Sequence, residues 1–314
     1  MSTAAVVVTF NRKQLLLECL DALLRQTKPI DRIYVIDNAS TDGTAVLLQE
    51  QGFFDRIEIS YVYLDSNTGS SGGFYQGIKS AFEGAYDWIW VMDDDAEPID
   101  TAHAELANYF DSEARSLAPL VINRDGTPSL THRGAARAHL SEQFVECIAP
   151  TDLKKPVHEI DFCSFVGLAV HRSVVEAIGF PKREMFLHFD DNEYSARIRK
   201  ISKMYLVPAS KIIHKEFSRS TVEIRSVLGR KSHRIRFNAF WIRYYGIRNG
   251  AWLMHQRFGI RGAAFALFTE VRKIPGMVLY DDHKWRRIRF VMNACMDGLR
   301  GRFDNAKPKK ILGL

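Results

Sequence analysis

The feature that most constrains the fold is a regular alternation of strand-like and helix-like segments over the first hundred residues. Short runs rich in β-branched residues, such as "AAVVVTF", are each followed by a segment with apolar residues at helical spacing, such as "RKQLLLECLDALLRQT". The pattern continues through "RIYVIDNAS", "TAVLLQEQG", "IEISYVYLD" and "GGFYQGIKSAFEGA" to the strand "DWIWVMDD". Strands linked by helices predict right-handed crossovers and a largely parallel sheet that is buried on both faces. We therefore expect an α/β fold.

Polar side chains follow each of these predicted strands. In sheets of this kind, ligands bind at the carboxyl ends of the strands. The residues that the pattern brings to that edge are Thr9, Phe10, Asn11, Arg12, Asp37, Asn38, Asp65, Ser66, Asn67, Asp93, Asp94 and Asp95. The sequence therefore predicts a ligand site at this edge of the sheet.

Three consecutive acids end the fourth strand, in "WIWVMDDDAEP". Alternation along a strand would point Asp93 and Asp95 to one face and Asp94 to the other. Carboxylates this close raise each other's pKa unless a cation or hydrogen bonds compensate. Their oxygens suit Mg²⁺ or Mn²⁺, which often bridges carboxylates to substrate phosphates. The alternative is a solvated turn before Pro98, and we favour the metal.

A glycine-rich stretch, "NTGSSGGFYQG", lies between the third strand and the acids. It matches neither the dinucleotide-binding pattern nor the phosphate-binding P-loop pattern. Its small residues, with Gly72 and Gly73 leading into a helix, would let the backbone approach a ligand closely. On local evidence a plain glycine turn is equally acceptable.

Two later positions could take part in chemistry. Asp190, in "FLHFDDNEY", could accept a proton from an attacking hydroxyl. The alternative is that this stretch caps the following helix through Asp191, which is compatible with a chemical role for Asp190. His214 follows the apolar strand "YLVPASKII" and could be a metal ligand. From local sequence alone, an ordinary surface histidine is the better interpretation of His214.

The rest of the chain is less regular. "LAPLVINRDG", "IDFCSFVGLAVHR" and "KMYLVPASKIIH" are expected strands, and "FDDNEYSARIRKI" is an expected helix. From residue 233 onward, "HRIRFNAFWIRYYGIRNGAWLMHQRFG" and the segments after it predict helices, and the tail "NAKPKKILGL" is expected to be loose. The four cysteines are widely spaced, which argues against a disulfide framework or a structural zinc site and fits a reducing cytosol. We expect neither a secretion signal nor a membrane span.

Several of these motifs occur together in the order seen in one enzyme family. "VVVTFNR", "VIDNAST", "NTGSSGGF", "WVMDDDAEP" and "FDDNEY" resemble the motifs of inverting glycosyltransferases of family 2, over about residues 4–215. "NTGSSGGF" is similar to a stretch of galactofuranosyltransferases and some rhamnosyltransferases, except that Ser70 stands where glycine is usual. "YYGIRN" and "DGLRGRF" also resemble the C-terminal region of that subgroup. The resemblance implies a GT-A fold, which is a Rossmann-like, nucleotide-binding mixed sheet flanked by helices, here with a C-terminal helical extension.

The same resemblance implies roles for the residues. Thr9, Phe10, Asn11, Arg12 and Asp37 would hold the base and ribose of a nucleotide sugar, and Asn67 would support that pocket. Gly72 and Gly73 would approach the donor, and Asp93 and Asp94 would contact ribose and metal. Asp95 would be the principal ligand of Mn²⁺ or Mg²⁺, together with Asp93 and His214. Asp190 would be the general base.

The resemblance also suggests a division of the chain and a reaction. The catalytic domain would span 1–225, with a donor-binding half over 1–100 and an acceptor-binding half over 101–225, and a helical region would span 226–314. The donor would be UDP-galactofuranose, or alternatively dTDP-rhamnose or another hexose donor. The acceptor would be a lipid-linked cell-surface glycan. Outside this class, the alternative is a non-catalytic nucleotide-sugar-binding scaffold at a membrane.

Charge is distributed very unevenly. Residues 1–210 carry 20 Lys and Arg against 30 Asp and Glu, whereas residues 211–314 carry 23 against 7, so that a net −10 is followed by a net +16. Such a basic, aromatic-rich third could bind an anionic membrane surface, pack on the catalytic domain or form a homo-oligomer. Nucleic acid is not expected, because no recognised module is present and the acidic body would repel it. Because transferases of the subgroup that the chain resembles usually extend lipid-linked glycans at the cytoplasmic face, we favour peripheral attachment to that face of the cell membrane.

Overall fold

The computed structural model describes residues 1–215, 221–227 and 229–313. The chain forms two compact units. The first comprises residues 1–136, 144–183 and the described part of 190–217, and the second comprises 137–143, 184–189 and the described part of 218–314.

The first hundred residues form the predicted alternation. Its elements are β1 (Thr3–Thr9), α1 (Lys13–Leu24), β2 (Arg32–Asp37), α2 (Thr44–Glu50), β3 (Ile59–Tyr63), α3 (Gly69–Glu83) and β4 (Trp88–Asp93). β1 pairs in parallel with both β2 and β4, and β2 pairs in parallel with β3. The register places Thr9 beside Asp37 and Val8 beside Asp93, so the polar strand ends lie along one edge as expected.

The remainder of the first unit extends this sheet. Its elements are β5 (Ala96–Pro98), α4 (Ala102–Ala107), β6 (Ser116–Ile122), β7 (Arg133–Ala136), β8 (Val145–Cys147), β9 (His158–Ile160), β10 (Phe162–Cys163), β11 (Leu168–His171), α5 (Arg172–Ile178), α6 (Asp190–Ile198) and β12 (Met204–His214). The strand order is β3-β2-β1-β4-β11-β6-β12-β5, and β9 also pairs with β12. Because β11 runs antiparallel to both β4 and β6, the sheet is mixed. A small second sheet contains β10, β7 and β8.

Both faces of the large sheet are buried. Every residue of β1 is buried, and along β4 the side chains alternate between two apolar clusters. Trp88, Trp90 and Met92 belong to the cluster on one face, and Ile89 and Val91 belong to the cluster on the other. Burial on both faces explains why these strands read as continuous apolar runs.

The glycine-rich stretch is the first part of α3 and not a loop. A Cβ at Gly73 would lie 2.4 Å from Val8 Cγ1, and one at Gly77 would lie 2.1 Å from Val6 Cγ1. These glycines therefore let α3 pack closely against β1. A Cβ at Gly72 would lie 2.3 Å from Thr68 Oγ1.

The second unit contains a hairpin and helices. Its elements are β13 (Val222–Val227), β14 (Arg230–Ile235), α7 (Arg243–Val271), α8 (Ile274–Tyr280), α9 (Lys284–Leu299) and α10 (Lys307–Leu312). The expected helix from residue 233 was wrong for "HRI", because these residues pair with β13 in β14. The expectation of a loose tail was also wrong, since residues 307–312 form a helix in which Pro308 and Leu312 are buried. Among the described residues, no helix is both long and apolar enough to span a bilayer.

Candidate active site

The carboxyl ends of β1 and β4 are joined by hydrogen bonds and ion pairs. Thr9 Oγ1 donates to Asp94 Oδ2 at 2.7 Å, so a strand-end hydroxyl holds the middle acid of the three. Arg12 Nη1 lies 3.1 Å from Asp94 Oδ1 and 2.8 Å from Asp95 Oδ2. The guanidinium of Arg12 therefore offsets part of the repulsion within the acidic cluster.

A second network joins the ends of β2 and β3. Asp37 accepts a hydrogen bond from the hydroxyl of Tyr61 at 2.5 Å and one from the Ser40 backbone at 2.7 Å. Asn38 Nδ2 donates to Asn67 Oδ1 at 3.2 Å and to the Gly69 carbonyl at 2.9 Å. These bonds fix the polar strand ends relative to the start of α3.

The residues after β1 are held to the loop after β2. Asn11 has a left-handed backbone, with φ of 54°, a conformation that asparagine tolerates better than most residues. Its side-chain oxygen accepts the Thr41 N–H at 2.7 Å, and its own N–H donates to Ser40 Oγ at 2.9 Å. Phe10 next to it is exposed. The structure thus places Thr9, Phe10, Asn11, Arg12, Asp37 and Asn67 along one edge, as the sequence predicts.

The three acids differ in their protonation behaviour. Burial, reinforced by the charges of Asp95 and Asp94, raises the pKa of Asp93 to about 8. Burial also raises the pKa of Asp94 to about 6, against the opposing effect of Arg12. Burial acts in the same direction on Asp95, but contacts with His214 and Arg12 outweigh it and hold the pKa of Asp95 below its usual value. Asp95 is therefore the acid best kept as a carboxylate.

Asp95 and His214 fit two positions of a metal shell. His214 Nε2 lies 3.2 Å from Asp95 Oδ1. Two ligands at right angles, each about 2.1 Å from an octahedral ion, lie about 3 Å apart, so the pair has a suitable spacing. Within the described residues, no three His, Cys, Asp or Glu side chains converge as a complete ligand set. Mg²⁺ and Mn²⁺ sites commonly use one or two protein ligands and take the rest from phosphates and water, so the pair is compatible with such an ion.

One open cavity of about 300 Å³ brings the acidic cluster and the expected base together. Asp93 and His214 line this cavity. Asp190 and Asp191 line it too, although about a hundred residues of the chain separate them from Asp93. Phe74, Phe162, Phe165 and Val166 contribute apolar lining. Sequence spacing alone gives no reason for residues 93, 190 and 214 to share a cavity. Their common location therefore supports a functional site at this cavity.

Asp190 is the first residue of α6 and is buried. Burial and the charge of Asp191 raise the pKa of Asp190 to about 7. Ser70 Oγ lies 3.5 Å from Asp190 Oδ2, so α3 also contributes to its surroundings. Asp191 accepts the Asn192 N–H at 2.7 Å, which leaves Asp190 as the acid better placed for proton transfer.

The structure adds residues to the cavity wall that the sequence did not indicate. His132 packs edge-on against His214, with ring centroids 4.9 Å apart, and its Nδ1 lies 3.0 Å from Ser164 Oγ. Burial, followed by the charges of Arg133 and His214, lowers the pKa of His132 to about 3, so this ring is neutral. The stretch "LTHRG" has no recognisable spacing, and no sequence signal could have identified His132.

The two C-terminal motifs meet inside the second unit. Tyr244, in "YYGIRN", donates its hydroxyl to Asp297 Oδ2 at 2.5 Å, in "DGLRGRF". A Cβ at Gly298 would lie 2.1 Å from the Arg248 carbonyl, so this glycine allows α7 and α9 to approach closely. Arg248 also lies over the ring of Phe303, at 4.8 Å from its centroid.

The same motif holds a strained segment of the second unit, residues 184–189. Phe186, His188 and Phe189 have φ values of 64°, 67° and 65°, a region that costs energy for residues with a side chain. Asn249 Nδ2 donates to the carbonyls of Met185, Leu187 and His188 at 2.9, 3.0 and 2.8 Å. The buried amide of Asn249 therefore stabilises a conformation that these residues would not adopt by themselves.

Comparison with known families agrees with this geometry. The sequence profile described as "Glycosyl transferase family 2" matches residues 4–179, which is more than half of the chain. The chain belongs to glycosyltransferase family 2. This glycosyltransferase is 26% identical over 267 residues to "Galactofuranosyltransferase GlfT1" of Mycolicibacterium smegmatis, an alignment that covers 80% of this chain and 82% of the relative. It is also 24% identical over 304 residues to "dTDP-rhamnosyl transferase RfbF" of Shigella flexneri, covering 95% of each.

Solved structures support the fold of this glycosyltransferase. The structure titled "Crystal structure of GalNAc-T7 with UDP, GalNAc and Mn2+" superposes with a TM-score of 0.57 at 14% identity, covering 96% of this chain and 58% of that chain. The mixed sheet flanked by helices is the GT-A arrangement, and a helical C-terminal region accompanies it. The enzyme class and the GT-A fold expected from the motifs are both confirmed.

Proposed function

We propose that this glycosyltransferase transfers galactofuranose from UDP-galactofuranose to a hydroxyl of a lipid-linked glycan, with inversion. The observation that carries the proposal is the shared cavity, which Asp93 and His214 line together with Asp190. The galactofuranose donor is favoured because a galactofuranosyltransferase is among the relatives and because that subgroup's glycine-rich motif resembles "NTGSSGGF".

Donor binding is assigned to the strand-end network. Thr9, Phe10, Asn11, Arg12 and Asp37 would hold the nucleoside. Asn67, together with Gly72 and Gly73 in the first turns of α3, would border the same pocket. In this proposal residues 1–100 form the donor-binding half and residues 101–225 the acceptor-binding half. The basic region from 226 onward would hold the enzyme at the cytoplasmic face of a membrane.

Asp95 and His214 would hold Mn²⁺ or Mg²⁺, with Asp93 nearby. When bound, this ion would offset the negative charge that develops on the departing diphosphate. Arg12 lies against Asp94 and Asp95, and with His214 it holds the pKa of Asp95 below its usual value, so that Asp95 stays ionised, the state that binds a cation.

Proton transfer is assigned to Asp190. Its carboxylate would accept the proton of the acceptor hydroxyl as the oxygen forms a bond to the anomeric carbon. The bond from that carbon to the diphosphate oxygen breaks at the same time, and the diphosphate leaves with the electron pair. The apolar lining from Phe74, Phe162 and Phe165 would limit competing water, which could otherwise hydrolyse the donor.

The second candidate donor is dTDP-rhamnose. The observation that favours it is the alignment with the rhamnosyl transferase, which covers 95% of this chain. The two candidates differ in both nucleotide and sugar, so they can be separated without knowing the natural acceptor.

Two measurements test this proposal. Thermal unfolding with Mn²⁺ and either UDP or dTDP should show a larger shift with UDP. Mass spectrometry of products formed from a donor panel and a lipid-linked glycan extract should show addition of one hexose mass from UDP-galactofuranose. A deoxyhexose product together with stabilisation by dTDP would replace the first candidate with the second.

A further inference from the structure

The second arm of α7 is built with its apolar side facing outward. Gly259 has a φ of 59° and a ψ of −138°, which interrupts the helix and separates residues 243–258 from residues 260–271. In the second arm the buried positions hold small or polar residues, namely Gly262, Ala263, Ala266, Thr269 and Glu270. The exposed positions include Ile260, Ala264, Phe268 and Val271.

The exposed apolar residues form one stripe. Positions 260, 264, 268 and 271 are spaced by three or four residues, so they lie along one side of a helix. Ile260 is 79% exposed and Phe268 is 60% exposed. A helix that packs only against its own protein places its large apolar residues inward. In this arm Phe265 and Leu267 are half-buried, but Ile260, Phe268 and Val271 are exposed.

Exposed apolar side chains continue into the two helices that follow. Val278, Leu279 and Trp285 are also exposed, so six of the fifteen large exposed apolar residues among the described residues fall between positions 260 and 285. These six exposed apolar residues lie within less than a tenth of the chain. On soluble proteins, exposed apolar residues are normally scattered singly over the surface.

In this region the acidic side chains are paired, whereas several basic side chains face solvent. Each acid between positions 260 and 289 is paired with a basic group of the same unit: Glu270 with Lys273 at 2.7 Å, Asp281 with Arg234 at 2.6 Å, and Asp282 with Arg287 at 2.6 Å. In contrast, Arg261, Lys284, Arg286 and Arg289 are exposed. None of these four forms an ion pair within the described parts of the chain. The solvent-facing charge of the region is therefore positive.

We infer that the stripe of Ile260, Phe268 and Val271 inserts into the interfacial layer of an anionic lipid bilayer, with the neighbouring Arg and Lys side chains on the headgroups. Exposed apolar residues flanked by cations are the composition that an anionic membrane interface accommodates. A second copy of the chain fits less well, because a two-fold interface would place these like charges against one another. This inference deepens the membrane attachment in the proposed function and rests on that part of it.

The test is vesicle co-sedimentation of the full-length protein. Vesicles of phosphatidylcholine alone are compared with vesicles that also contain phosphatidylglycerol. Wild type should bind the anionic vesicles more strongly, and Ile260→Ser and Phe268→Ser should each lower the partition coefficient by about 10-fold, because each removes a large apolar side chain from the bilayer. Ile57→Ser is the matched control, since Ile57 is 82% exposed but lies in the first unit, and it should bind like wild type.

Several results would overturn the inference. These are no binding of wild type to anionic vesicles, binding of Phe268→Ser equal to wild type, or an equal loss in Ile57→Ser. Sedimentation velocity could give a further contradicting result. If wild type is a dimer and Phe268→Ser is a monomer, the stripe is a dimer interface. The vesicle assay uses neither donor nor acceptor, so its outcome is independent of whether the proposed transfer reaction is correct.

Discussion

At the scale of single residues, burial and the neighbouring Asp191 both favour the neutral form of the Asp190 carboxyl. A general base works best when its pKa lies near the pH at which the enzyme operates, because it must be ionised yet still basic. An ordinary exposed aspartate would be a much weaker base. The environment of Asp190 therefore suits the role that we propose for it.

Asp190→Asn tests this role. The amide keeps the size of the side chain but cannot accept the proton, so kcat should fall by about 10²–10⁴-fold. The dissociation constant of UDP, measured by calorimetry, should stay within about twofold of wild type, because the nucleoside contacts that we propose lie at the carboxyl ends of β1 and β2. Asp125→Asn, in an exposed turn of the same unit, is the control and should have wild-type kcat. Full activity of Asp190→Asn would remove Asp190 from the mechanism.

The pH dependence follows from the direction of the shift. Since the pKa of Asp190 is raised to about 7, the carboxylate is lost as pH falls through 7, and kcat/KM should decline on that side. Asp191→Asn removes a neighbouring negative charge, which lowers the pKa of Asp190, so the decline should move to lower pH. Rate profiles of the two proteins from pH 5 to 9 measure this, and an unchanged profile in Asp191→Asn would contradict the assignment.

Asn249 offers a test of the strained segment. In Asn249→Asp, a buried carboxylate would face three carbonyl oxygens that now receive hydrogen bonds from the amide. We expect the free energy of unfolding of the second unit to fall by about 3 kcal/mol or more. Urea unfolding monitored by circular dichroism measures this loss. Asn293→Asp is the control, because Asn293 Nδ2 donates to the Arg289 carbonyl at 2.8 Å at a solvent-accessible position. Equal losses in the two variants would show that Asn249 has no special role.

The locations of site residues were predicted correctly where those residues end a strand of the sheet. The position of Thr9, Asp37 and Asp93 at one edge follows directly from parallel pairing, and the register confirms it. His132 and Asn249 could not be predicted in this way, because their partners are brought together only by tertiary packing. The proposed contacts of these residues with donor and metal remain predictions.

At the scale of elements, the glycines of α3 allow this helix to pack closely against β1, a role that the glycine-rich sequence alone does not indicate. Gly77→Ala improves helix propensity, but its Cβ would lie 2.1 Å from Val6 Cγ1 in β1. We expect a net loss of about 1–3 kcal/mol in the free energy of unfolding, seen as a lower thermal midpoint. In Gly246→Ala the new Cβ would be 3.7 Å from His188 Cδ2, an ordinary contact, so that variant should be as stable as wild type or more so. A stable Gly77→Ala would show that the α3–β1 packing is looser than described.

The errors in element prediction have physical causes. "VEIRSV" alternates in exposure with a period of two, as a strand does, and it pairs with "RKSHRI". The expected helix began too early because "HRI" directly precedes an arginine-rich and aromatic-rich segment of similar composition. The helix at 307–312 is too short and too basic to be predicted from propensity alone. It forms because Pro308 and Leu312 are buried and Lys309 lies over the ring of Trp241, at 5.0 Å from its centroid.

At the scale of the whole molecule, the acidic and basic parts of the sequence correspond to different tasks in this account. The acidic part contains the mixed sheet and the candidate active site except for the end of β12, which carries His214, and the basic part contains the outward-facing apolar stripe. A net charge calculated for the whole chain, +6, conceals this division. Charge asymmetry was therefore more informative than total charge.

A crystal structure of the enzyme with UDP and Mn²⁺ tests the central claim most directly. The account predicts an anomalous Mn²⁺ peak in contact with both Asp95 and His214, diphosphate oxygens completing its shell, and the uridine against β1 and β2. The Asp190 carboxyl should line the same cavity on the side left open for an acceptor. A nucleotide bound elsewhere, or a peak with Asp95 and His214 turned away from it, would contradict the account.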